Sequence, residues 1–193
     1  MRLVLATRNA HKPREFARLL ADHEIEELPD DVELPPEAGA TFADNALPKA
    51  RAAAAATGRP AIADDSGIEA AALAGAPGVR SARYAGPEAS DAANLDKLRR
   101  EVPPGGDLAY VCALAFVDEG RERVFEGRCT GTMAPTPRGS GGFGYDPVFL
   151  PDDERDGRTM AELDDAEKDA ISHRGRAARA LASWLEDDAG DGP

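Results

Sequence analysis

The chain is short of several things, and each shortage narrows what it can be. Only two cysteines occur among its 193 residues, Cys112 and Cys129, without the spacing of a metal knuckle. They read as buried free thiols of a reducing cytoplasm rather than as a disulfide. No apolar run approaches the roughly 20 residues a membrane-spanning helix needs, so no membrane partner is expected. Met1–Ala6 is too short for a signal peptide and reads as a first strand. Positive charge is scarce too, with 23 Lys and Arg against 36 Asp and Glu and a net charge of −13. Such a field repels a nucleic-acid polymer, although it leaves room for a local basic pocket. Lysine is the rarest cation, present only as Lys12, Lys49, Lys97 and Lys168. Three of these four fall in polar motifs, which makes their positions informative.

What remains is an ordinary apolar content of 42%, in a chain long enough to bury a sizeable core. Residues 1–185 read as one domain without an internal linker, and 186–193 as an acidic tail expected to fray. Leu3–Ala6 is a buried strand, followed by a polar turn and a helix from about Pro13 that buries Phe16, Leu19 and Leu20. Ile25–Leu28 is a weak strand before an acidic, proline-rich loop, 29–39. Thr41 and Asp44 form a capping signature ahead of an alanine-rich helix to Thr57, with Gly58 as its stop. Pro48 should bend that helix without breaking it. Ala61–Asp64 reads as a strand, Ser90–Glu101 as a helix, and Asp107–Asp118 with Arg121–Met133 as a hairpin turning at Glu119-Gly120. A Gly- and Pro-rich loop, a short helix from Thr159, another over Asp164–Ala170 and a last helix from Ser172 to about Leu185 complete the chain. Strands and helices mix without regular alternation, which favours an α/β fold with a mixed sheet and helices packed around it.

The most informative stretch is Asp64-Asp65-Ser66-Gly67, two carboxylates at the expected end of a strand, with Arg80 and Arg83 behind a Pro77-Gly78 turn. Carboxylates there can hold a hard cation such as Mg²⁺, and arginines suit anionic oxygens. Glu37 and Asp65 can form the metal-binding pair if the loop folds over the strand, with Asp64 as a supporting carboxylate or a base. Thr7-Arg8-Asn9-Ala10-His11-Lys12 joins a strand to a helix, where free N–H groups and the helix dipole attract an anion. Lys12 is wrong-signed at that end unless an anion joins it; otherwise it is a solvated lysine. Lys49 either points toward phosphate or covers surface with its stem. Near the C-terminus, Phe143 offers a stacking face, and Asp146 an acceptor for a ring N–H. The other reading of that loop packs Phe143 and Tyr145 into the core. His173 and Arg174 fall in the first turn of the last helix, again wrong-signed, and a guanidinium there can donate to a purine keto oxygen.

Together these blocks resemble the inosine triphosphate pyrophosphatase family. The resemblance rests on Thr7-x-Asn9-x-x-Lys12, Glu37-x-Gly39-x-Thr41-Phe42, Asn45-Ala46, Lys49-Ala50, Asp64-Asp65-Ser66-Gly67, Gly141 to Phe149, Glu167-Lys168 and Ser172-His173-Arg174-Gly175. Asp44 stands where that family often has Glu, and Pro48 is unusual before the lysine. The resemblance implies an elongated fold of two lobes with the nucleotide in the cleft between them, and a homodimer. It implies Mg²⁺-dependent hydrolysis of ITP, dITP and XTP to the monophosphate and pyrophosphate, cleansing the nucleotide pool. By position, Thr7, Arg8, Asn9, Ala10, His11, Lys12 and Lys49 hold the triphosphate. Glu37 and Asp65 bind Mg²⁺, Asp65 with Asp64 carries the catalysis, and Ser66 touches substrate. Phe143, Gly144, Tyr145, Asp146, Lys168, His173 and Arg174 surround base and sugar. Two alternatives stay open: a nucleotide-binding module without turnover, and a related pyrophosphatase acting on pyrimidine or modified nucleotides.

Overall fold

Strand β1 (Arg2–Leu5) forms where the sequence is continuously apolar, and Leu3, Val4 and Leu5 are all buried. The computed structural model describes residues 1–190, with the backbone alone for 188–190. Helix α1 (Lys12–Leu19) carries Pro13 in its first turn, where a missing N–H costs nothing. Phe16 and Leu20 are buried, while Leu19 is only half-covered. Strand β2 (Glu24–Glu27) is short. Helix α2 (Phe42–Thr57) opens on a capping box: the Asp44 N–H donates to Thr41 Oγ1 at 3.1 Å and the Thr41 N–H to Asp44 Oδ2 at 3.0 Å. It runs unbroken through Pro48 and ends on Gly58, whose φ of 62° favours glycine.

Strand β3 (Ala61–Ala70) is longer than the sequence suggested. Asp, Ser and Gly have weak strand propensity and read as a terminus. Tertiary context overrides that preference because Ile68 and Ala70 farther along are fully buried. Helix α3 (Asp91–Glu101) is capped by Ser90, whose hydroxyl accepts from the Ala93 N–H. Strands β4 (Asp107–Asp118) and β5 (Arg121–Met133) have the expected bounds. Glu119 and Gly120 between them both have positive φ, 34° and 90°, as a two-residue hairpin turn requires. Strand β6 (Phe149–Pro151) was not foreseen, since three residues are too few to show a period. After a 3-10 turn over Met160–Glu162 come α4 (Asp165–Ile171) and α5 (His173–Gly190). Helix α5 continues past the expected end near Leu185, and the last residues of the expected tail lie outside the described residues.

The six strands order as β2-β1-β3-β4-β5-β6. Strand β1 pairs parallel with both β2 and β3, while β6 pairs antiparallel with β5, so the sheet is mixed as expected. The chain divides into two compact units. Among the described residues, the first comprises 1–65, 112–127 and 174–190, and the second 66–111 and 128–173. The first packs its core around Leu3, Leu5, Phe16, Ile62, Phe116 and Leu181. The second packs its own around Ile68, Leu98, Tyr110, Met133, Phe149 and Met160. Cys112 and Cys129 are buried thiols outside any disulfide, one in each core.

Candidate active site

In the first unit, Asp64 and Asp65 occupy the fourth and fifth positions of β3, so they stand inside the strand rather than at its end. The pairing with β1 stops at Leu5↔Ile62, however, and both carboxylates lie beyond that last rung. Strand alternation points them to opposite faces.

Asp64 is fully buried. Its Oδ1 lies 2.8 Å from Lys12 Nζ, its Oδ2 accepts from Arg174 Nε at 3.2 Å, and its carbonyl accepts from Lys49 Nζ at 2.9 Å. Burial alone would push its pKa up. The charges of Lys12, Arg174 and Lys49 outweigh burial and hold it well below the usual carboxylate range. The anion that Lys12 needed at the start of α1 therefore comes from within the chain. Arg174, in the first turn of α5, gains the same partner, and its Nη1 also donates to the buried Glu15 at 3.2 Å. Arg174 thus sits among carboxylates of the first unit.

Asp65 behaves differently. Its Oδ2 accepts from Asn45 Nδ2 at 2.8 Å, and its pKa is raised. Burial is the main cause and the charge of Glu37 adds to it, against the opposing pull of Asn45 and Lys49. Asn45 also accepts from the Gly39 N–H at 2.7 Å, joining the loop end to Asp65. A Cβ at Gly39 would stand 2.5 Å from Asp44 Cβ, which is why a glycine closes the loop. Glu37 Oε1 accepts from Lys49 Nζ at 2.6 Å.

These groups comprise Lys12, Lys49 and Arg174 against Glu15, Glu37, Asp64 and Asp65, a formal charge of −1. A polyphosphate is not attracted to that balance, and one divalent cation reverses its sign. The carboxylate oxygens of Glu37 and Asp65 are hard donors of the kind Mg²⁺ takes. Among the described residues no three His, Cys, Asp or Glu side chains converge on one point. An ion there would complete its shell with water and ligand oxygens, the habit of Mg²⁺.

The turn before α1 is shaped by its own side chains. The Asn9 N–H donates to Thr7 Oγ1 at 3.1 Å and the His11 N–H to Asn9 Oδ1 at 2.9 Å. Ala10 and His11 are exposed. Arg8 turns away from its neighbours and donates to carbonyls of the 28–32 segment.

The second unit gathers the remaining candidates. Asp146 is buried, with Oδ1 accepting from the Tyr110 hydroxyl at 2.9 Å and Oδ2 from Lys168 Nζ at 2.8 Å and the Phe143 N–H at 3.0 Å. Both oxygens take part in organising the loop. Lys168 Nζ lies 5.2 Å from the centre of the half-buried Phe143 ring. A Cβ at Gly142 would come within 2.0 Å of Asp146 Oδ2, so glycine is required there on space as well as on its φ of 68°. The Gly144 N–H donates to Asp91 at 3.1 Å. Tyr145 is buried in the core and donates to the Ser81 carbonyl at 2.7 Å, the structural alternative for that residue. His173 stacks on Tyr110 at 4.7 Å with rings 7° from parallel. Ser66 is half-buried at the head of this unit, and Arg80 and Arg83 lie on its 3-10 turn over Gly78–Arg83.

Sequence reasoning gave Asn45 no role beyond its place in the motif, and it missed Glu15 and Tyr110. A polar residue on the buried Asn45-Ala46-Lys49-Ala50-Ala53 face of α2 was a usable signal for the first. Glu15, beside the core residue Phe16 and three residues after Lys12, was a weaker one. Tyr110 gave none.

The sequence profile of the Ham1 family matches residues 3–184. The chain belongs to the Ham1 family. A relative from Mycolicibacterium paratuberculosis, named dITP/XTP pyrophosphatase, is 51% identical over 195 residues, with 95% of each chain covered. Another of that name from Streptomyces coelicolor is 50% identical, covering 93% of this chain and 94% of the other. The solved HAM1 protein of Coxiella burnetii superposes with a TM-score of 0.84 at 42% identity, over 97% of this chain and 99% of that one. The pyrophosphatase family expected from the motifs, and the mixed α/β fold with it, are borne out. Among the described residues, no helix of this Ham1 protein is long and apolar enough to cross a membrane.

Proposed function

We propose that this chain is a nucleoside-triphosphate pyrophosphatase that hydrolyses non-standard purine nucleotides, ITP, dITP and XTP, to the monophosphate and pyrophosphate. One observation carries the mechanism: adjacent carboxylates with opposite proton affinities, set among three cations. Relatives near 50% identity named for dITP and XTP support the substrate class.

Glu37 and Asp65 would hold Mg²⁺, which when bound neutralises triphosphate charge. Asp65 takes a proton from the attacking water. Asp64 stays ionised and keeps Lys12 and Arg174 in place. Lys12, Lys49 and the Thr7, Asn9, Ala10 and His11 part of the turn grip the phosphates, while Arg8 faces the 28–32 carbonyls. The new bond to the α-phosphorus forms in line as the bond to pyrophosphate breaks. In the second unit, Phe143, Gly144, Asp146, Lys168 and His173 form the base-recognising part, Tyr145 supports them from the core, and Ser66 touches substrate. Donors directed at a 6-keto group accept hypoxanthine and xanthine. Adenine's amino group leaves them unpaired, a mismatch that costs about 10⁴-fold in a site built to pair. A homodimer in the cytoplasm belongs to the same proposal, and light scattering checks its assembly.

The decisive assay is pyrophosphate release from ITP, dITP, XTP, GTP and ATP with and without Mg²⁺. Release from the first three only, and only with the metal, is expected. Orthophosphate in place of pyrophosphate overturns the assigned bond. A preference for pyrimidine nucleotides overturns the base assignment.

A further inference from the structure

The loop 28–39 that carries Glu37 is fastened near both of its ends. Pro29, Pro35 and Pro36 remove three backbone donors. Its own backbone bonds include Val32 N–H to the Pro29 carbonyl and Ala38 N–H to the Pro36 carbonyl. The far end is fastened by Asn45 to Gly39 and by Lys49 to Glu37. Arg8 fastens the near end. Its Nη1 donates to the Leu28 carbonyl at 3.2 Å, and its Nη2 to those of Pro29 at 2.9 Å and Val32 at 2.6 Å, with Asp30 more distant at 3.4 Å.

A planar fork of five donors fits a curl of carbonyls, whereas an ammonium reaches them from a single point. The charge of Arg8 matters little here. Its nearest carboxylate, on the fully exposed Asp30, is 3.9 Å away, a contact worth almost nothing in water. The same turn sends Lys12 to Asp64. One six-residue segment therefore braces both sources of the metal pair, β3 through Lys12 and the loop through Arg8.

We propose that Arg8 is a positioning residue. It clamps the loop so that Glu37 faces the cation, and it governs the metal requirement rather than the grip on phosphate. The clamp's link to the metal rests on the Mg²⁺-dependent hydrolysis proposed above.

The test compares Arg8→Lys and Arg8→Ala with the parent chain. One readout is the Mg²⁺ concentration for half-maximal pyrophosphate release at saturating ITP. The other is the rate at which a glutamate-specific protease cuts the native protein at Glu33. Both variants are expected to raise the Mg²⁺ requirement and the cutting rate about tenfold, the scale of one or two lost charge-assisted hydrogen bonds. If Arg8→Lys matches the parent in both readouts, charge suffices and the clamp is overturned. Faster cutting with an unchanged Mg²⁺ requirement breaks the link to Glu37. Should the parent release no pyrophosphate, the hydrolysis is lost, and the cutting rates alone decide the clamp.

Discussion

Each unit buries an aspartate against a lysine ammonium 2.8 Å away, Asp64 with Lys12 in one and Asp146 with Lys168 in the other. The pairs look alike and differ in what surrounds them. Around Asp64 stand two further cations, Arg174 and Lys49, and three more carboxylates, Glu15, Glu37 and Asp65. Around Asp146 the remaining donors are neutral, the Tyr110 hydroxyl and the Phe143 N–H. The first cluster is charged and unbalanced, and the proposed reaction would complete it with a cation and phosphates. The second is balanced by itself, which suits an uncharged ring. In the proposed reaction, charge chemistry would fall to the first unit and shape recognition to the second.

The comparison is tested hardest by Asp65→Asn. If Asp65 is the base, pyrophosphate release at saturating Mg²⁺ falls about 10³-fold, within the range a positioned general base supplies. Nucleotide binding, measured by calorimetry, survives in part. A binding-only module would show no difference between parent and variant. Next in size is Asp64→Asn, which leaves the partly buried Lys12 and the buried Arg174 with half their counter-charge removed. Breaking a buried ion pair from one side costs about 3 kcal/mol or more, to be read from urea unfolding. A loss below about 1 kcal/mol would show that water already reaches that pair.

Much of this was legible in advance where the chain speaks locally. The hairpin bounds at Asp107–Asp118 and Arg121–Met133 followed from apolar runs around Glu119-Gly120. The α2 start followed from Thr41 and Asp44, whose capping is local chemistry. Illegible features were those set by partners far along the chain. The extension of β3 through Asp65–Gly67 contradicts local propensity, and β6 is too short for a pattern. The order of the site residues in the chain could not reveal that Arg174 would meet Glu15, 159 residues away. It likewise hid the fact that Asp146 is already occupied by Tyr110 and Lys168. Polar motifs mark which residues matter, and only folding decides which of them meet.

A smaller effect separates charge from shape inside the second unit. Tyr110→Phe keeps the ring that stacks on His173 and removes the hydroxyl donated to Asp146. A lost hydrogen bond to a charged group predicts about 1.5 kcal/mol of destabilisation. If Asp146 and its neighbours recognise the base, the preference for ITP over ATP falls while the Mg²⁺ requirement stays put. A changed Mg²⁺ requirement would show that the second unit also bears on charge.

The smallest effect uses the two thiols as reporters of each unit's opening. Cys112 lies in the first core, where burial and then the charge of Asp64 push its thiol pKa up. Cys129 lies in the second core. Buried thiols react with alkylating reagents chiefly after local opening, so labelling rates follow the stability around each. A bound ligand protects the region it completes. With Mg²⁺ and a non-hydrolysable triphosphate, Cys112 labelling should slow about threefold more than that of Cys129, because the unbalanced cluster gains most from binding. Equal protection would mean that the two units open as one, and the separation of charge from shape would then be chemical without being mechanical.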